Sequence, residues 1–91
     1  MKYKESETVE LKRELKDDVK LEIIAFLNSY LGGTIFVGVD NQGKSTNVTE
    51  NEKDLYESKV INWIRDEAIY PNCSDFISVF YNEDGVLEIN Y

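Results

Sequence analysis

The chain has no histidine, and only one cysteine, one proline and one tryptophan among its 91 residues. Without imidazole there is no Ser-His-Asp or Cys-His nucleophile and no ordinary zinc site, so any catalysis would have to rest on carboxylates, lysines and a hard cation. The single thiol, Cys73, rules out an intrachain disulfide. It sits between Asn72 and Ser74 with no base beside it to activate it, and it reads as incidental. No apolar run approaches the ~20 residues of a membrane helix, and the opening MKYKESETVELK lacks a signal core. A cytoplasmic protein with no membrane contact is expected.

Positive charge is also scarce, except at one end. The net charge is −8, the wrong overall sign for gripping phosphate backbones. Residues 1–20, however, are neutral, with Lys2, Lys4, Lys12, Arg13, Lys16 and Lys20 set against six acids. Beyond residue 20 four bases face twelve acids, which accounts for the whole −8. An anionic partner would therefore have to be met by those six N-terminal bases. The acidic remainder is free to face a protein.

The length fits one domain, 1–91, and the composition, 42% hydrophobic and 12% aromatic, allows a packed core. Alternation over Glu7 to Leu15 predicts a first strand, with Val9, Leu11 and Leu15 on one face and Thr8, Glu10 and Lys12 on the other. Asp17 and Asp18 open a helix expected over 18–31, its inner face built from Val19, Ile23, Phe26, Leu27 and Tyr30 and its end supplied by Gly32-Gly33. Thr34 to Val39 reads as a buried central strand, with Gly38 marking a bulge or a close approach. Asp40-Asn41-Gln42-Gly43 is a turn returning the chain as a short strand over Lys44 to Val48.

Asn51 is expected to cap a second helix with Tyr56, Val60, Trp63, Ile64 and Ala68 inward, ended by Pro71. Phe76 to Tyr81 and Val86 to Tyr91 form a closing hairpin around Asn82-Glu83-Asp84-Gly85, which repeats the first turn pattern. The result is an α+β domain, a mixed sheet with two helices on one face. The closing alternation Leu87 to Tyr91 suggests the N-terminal part of a longer chain. Trp63 and Tyr56 fall at core spacing, and the late aromatics Phe76, Phe80, Tyr81 and Tyr91 read as sheet covering rather than base-stacking surfaces.

Three acids stand where a hard-cation site could form. Glu10 on the first strand and Asp40 at the end of the neighbouring one could converge at a sheet edge, joined by Glu5 if it belongs to a lead-in turn rather than to the strand. Such carboxylates could hold Mg²⁺ or Mn²⁺ and activate water, with Lys12, two residues from Glu10, steadying phosphate charge. On spacing alone the same acids read first as solvated surface groups, Asp40 being the first residue of its turn. Gly32-Gly33 is no phosphate loop, because the glycines follow a helix and precede a strand.

The ordered set Glu5-Ser6-Glu7-Thr8-Val9-Glu10-Leu11-Lys12, Ile23-Ile24-Ala25-Phe26-Leu27-Asn28 and Gly32-Gly33-Thr34-Ile35-Phe36-Val37-Gly38-Val39-Asp40 resembles the Schlafen AlbA_2 domain, also called divergent AAA-4, from about Glu5 to Tyr91. The resemblance implies an Alba-like fold at the front of a DNA-binding transcriptional regulator, with a C-terminal regulatory region following. It also implies a second possibility, since some Schlafen members are metal-dependent endoribonucleases whose three acids fall on Glu5, Glu10 and Asp40 here. The leading expectation is nucleic-acid binding, DNA ahead of RNA, needing no cofactor, with the six N-terminal bases as phosphate contacts. The alternatives are a Mg²⁺- or Mn²⁺-dependent endonuclease using Glu5, Glu10, Asp40 and Lys12, and a protein-interaction or homodimerisation module.

Overall fold

The computed structural model describes residues 3–27, 32–46, 49–65 and 77–90. Its elements are β1 (Val9–Lys12), α1 (Asp17–Leu27), β2 (Thr34–Val37), α2 (Glu50–Arg65), β3 (Ser78–Tyr81) and β4 (Leu87–Asn90). The strands form one mixed sheet in the order β1-β2-β4-β3. β1 and β2 are parallel neighbours joined through α1, whereas β4 runs antiparallel to both β2 and β3. The α+β class holds, and β1 and β2 are shorter than the apolar alternation alone would allow.

Both helices cover the same face of the sheet. Ile35 and Val37 of β2 and Leu87 and Ile89 of β4 meet Val19 and Ile23 of α1 and Val60 and Trp63 of α2 in one buried cluster. Burying a side chain of this size removes roughly 1.5–3 kcal/mol worth of apolar surface from water, which is why the 3.6-residue spacing of both helices outweighs their many charges. Leu15 joins this cluster rather than Val9 and Leu11, which lie with Tyr3, Val39, Val86 and Phe36 on the helix-free face. The strand ends at Lys12, so the alternation that would have placed Leu15 with Leu11 is broken by the loop leading into α1.

Several local expectations are borne out. Asp40 and Asn82 each accept a 3.0 Å bond from a glycine N–H three residues on, Gly43 and Gly85, and those glycines take φ of 79° and 75°. Gly33 lies against Phe26 so closely that a Cβ there would come within 2.6 Å of the ring, consistent with its place between a helix and a strand.

Two expectations are corrected. No strand forms over Lys44 to Thr46. The chain folds back through a single bridge, Val39 to Ser45, because Gly38 at φ 100° turns it out of the sheet and Lys44-Ser45-Thr46 has no apolar residue to bury. The second helix is capped by Thr49, not Asn51. The Glu52 N–H donates to the Thr49 hydroxyl at 3.2 Å, and Glu52 Oε1 accepts from the Thr49 N–H at 3.3 Å, a reciprocal capping box. The expected roles of Lys2, Asn28, Tyr30, Leu31, Val48, Ala68, Pro71, Cys73, Phe76 and Tyr91 lie outside the described residues.

Candidate nucleic-acid interface

Glu10 and Lys12 are two residues apart on β1, so they share the helix side of the sheet. There α1 presents Asp18 and Glu22, one helical turn apart, and the Lys12 ammonium is drawn among three carboxylates. Its Nζ lies 3.0 Å from Asp18, 3.4 Å from Glu22 and 3.8 Å from Glu10, with 18% of the side chain exposed. Desolvation works to lower the Lys12 ammonium, but the Asp18 hydrogen bond and the three acidic charges outweigh it and hold its pKa above the usual value. Glu10 is pushed up by burial first and then by the charges of Glu22 and Glu5, against the pull of Lys12. Asp18, hydrogen-bonded by Lys12, is held low. Lys12 ties the edge strand to α1.

Glu5 stands in a lead-in before a small turn, in which Ser6 and Val9 bond each other. It lines a shallow recess of about 300 Å³ with Tyr3, Lys4, Leu11 and Asn41. Asp40 belongs to a different environment. Its Oδ1 accepts from the Gln42 N–H at 2.8 Å and the Lys44 N–H at 3.0 Å. The Lys44 N–H foremost, then the Gln42 N–H and the charges of Arg13 and Lys44, hold this carboxyl below the ordinary aspartate range. Glu5 and Glu10 thus feel each other while Asp40 is engaged by its own turn, and among the described residues no three acidic or thiol groups converge to hold a metal ion. Glu5, Glu10 and Asp40 are therefore not brought together as one cation-binding group.

The bases separate in the same way. Lys12 is taken up by carboxylates, and Lys16 pairs with Glu14 at 3.0 Å. Lys20 lines a groove of about 600 Å³ between the helices with Asp17, Asp18, Leu21, Lys59 and Trp63. Lys4 and Arg13 are exposed and lie by the Asp40 turn, Lys4 across the recess from Asn41 and Arg13 through its carbonyl, which accepts the Thr46 hydroxyl at 3.4 Å. Lys44, absent from the sequence-based candidates, completes the group on the turn itself. Its signal in the sequence was the Asp40 to Gly43 turn, which brings residue 44 back toward the end of β1 and β2. This is the carboxyl end of two parallel strands, where ligands of α/β sheets commonly bind.

An α+β domain with exposed bases gathered at one end of its parallel strands fits a nucleic-acid-binding class. The family model described as Schlafen, AlbA_2 matches residues 5–91, and the chain belongs to that family. No curated protein and no solved structure matches it. No described helix is long and apolar enough to cross a membrane.

Proposed function

We propose that this domain binds nucleic acid through Lys4, Arg13 and Lys44, with duplex DNA as the ligand and a transcriptional regulator as its setting. The observation that carries the reading is the gathering of these exposed bases around the Asp40–Lys44 turn. Contacts of this kind reach phosphates, so they position a duplex without reading its sequence, and they need no cofactor.

Titration with duplex and single-stranded DNA at two salt concentrations tests it. Binding should weaken as salt rises, and each of Arg13→Ala and Lys44→Ala should reduce the salt slope by about 1. Absence of binding at low salt, or binding indifferent to salt, would refute it. Structured RNA incubated with Mn²⁺ should stay intact. Cleavage that disappears in Glu10→Ala would instead establish the carboxylate nuclease.

A further inference from the structure

β3 is the outermost strand on its side of the sheet, and among the described residues it pairs with β4 alone. In the hairpin the Asn82 N–H donates to the Val86 carbonyl at 3.0 Å. Antiparallel ladders alternate, so bonded pairs continue at Phe80–Glu88 and Ser78–Asn90, and the N–H and C=O groups of Val79 and Tyr81 point away from β4. Such an edge is a template for another strand unless a lysine, a proline, a bulge or an inward-pointing charge blunts it. Ser78-Val79-Phe80-Tyr81 has none of these, and Phe80 is 42% exposed on the helix-free face.

The surroundings select what can pair there. Among the described residues, Glu83 and Asp84 lie in the turn that ends β3, and Glu88 stands opposite Phe80. On the helix side the Tyr81 phenol is pushed up to about 12, by burial first and then by neighbours that include Glu57, Asp54 and Glu50 of α2. Lys53 lies over the Tyr81 ring at 5.7 Å, but Glu50 holds its ammonium at 3.3 Å. A second copy would bring the same acids against these, each chain carrying −8, so like charges oppose self-pairing. A basic strand meets the opposite sign.

We propose that the outer edge of β3 takes up an extended, basic segment of a partner protein as a fifth strand. Its main chain bonds Val79 and Tyr81. Its Lys or Arg side chains lie in the field of Glu88 on one face and of Asp54 and Glu57 on the other, with an Arg able to cover the Phe80 ring. This surface is at the opposite edge from Lys4, Arg13 and Lys44, and it stands whether or not those bases bind nucleic acid.

The test is a short peptide alternating Lys and Val, titrated into the full chain at low salt and followed by amide hydrogen exchange. At a peptide concentration ten times its Kd, exchange at Val79 and Tyr81 should slow by about tenfold. The same peptide with proline at alternate positions, or with Glu in place of Lys, should not bind. Phe80→Lys, checked for folding by circular dichroism, should weaken binding by about fivefold through a like-charge cross-strand pair. The proposal fails if the Lys/Val peptide does not bind or binds without slowing those two amides. It fails equally if the proline or Glu peptide binds as well, if both amides already exchange slowly in the free chain, or if they are protected in a dimer of this chain.

Discussion

The two edge strands of the sheet are each four residues long, yet they are built from opposite materials. β1 is Val-Glu-Leu-Lys and turns Glu10 and Lys12 inward under α1, where Asp18 and Glu22 complete an ion-pair cluster. β3 is Ser-Val-Phe-Tyr, uncharged, with Val79 and Tyr81 packed on the core and Ser78 and Phe80 facing out. An edge carrying inward charges resists a further strand, because pairing there would strip water from groups that need it. The β3 edge has no such guard and depends on the acidic field around it. The difference leaves the two sides of one small sheet suited to different partners, and the proposals above assign phosphate to the side of β1 and a basic peptide to that of β3.

The largest effect that would test this division comes from the strand between the edges. Ile35 of β2 is 1% exposed, and Ile35→Ala should cost about 2–5 kcal/mol in urea unfolding. Amide exchange should quicken at β1 and β3 alike, because β2 and β4 link both edges to one core. Loosening of β1 alone would mean that the edges are separate cooperative units.

A smaller and local effect is expected from Lys12→Ala, which leaves Glu10, Asp18 and Glu22 facing one another without their cation. The loss should be about 1–3 kcal/mol, between that of an exposed ion pair and that of a buried one. Exchange should quicken at β1 and not at β3, and the cost should shrink as salt is added. An equal loss at both edges would contradict the view that the cluster serves β1.

The least effect belongs to Glu10→Gln. The folded-state pKa of Glu10 is raised, so the stability it contributes is complete below its unfolded value and is lost as pH rises through the folded one. The glutamine variant, neutral throughout, should therefore gain on the native chain as pH goes from 4 to 7. Melting curves at both ends of that range would show it. A gap that stays constant would mean that Glu10 is not crowded by Glu22 and Glu5.

Much of the fold was legible because it rests on period and turn chemistry. The 3.6-residue spacing of Val19 and Ile23 and of Val60 and Trp63 marked the inner helix faces, and the two Asx-Gly turns declared themselves by residue type. The Thr49 capping box is written in the sequence as Thr49-Glu50-Asn51-Glu52, with Asn51 a competing cap only by residue type. A strand from Lys44 was expected from the hairpin-like turn, and over Lys44 to Thr46 it does not form, because a turn alone cannot hold three polar residues with nothing apolar to bury.

The candidate site was less legible. Glu5, Glu10 and Asp40 are alike in a linear motif, but only their surroundings show that Asp40 spends its oxygen on two backbone N–H groups while Glu10 leans on Lys12. Lys12 and Arg13 are adjacent bases in the sequence with opposite fates.

The order of residues by itself determined the α+β class, the excluded chemistries and the uneven spread of charge, since composition and periodicity are local properties. Which bases remain open to a phosphate, which acids can meet and which sheet edge is guarded were decided by tertiary structure. Those outcomes depend on distances between groups remote in sequence, such as Lys12 to Glu22 and Lys4 to Asn41, and electrostatic energy follows distance and burial rather than position along the chain.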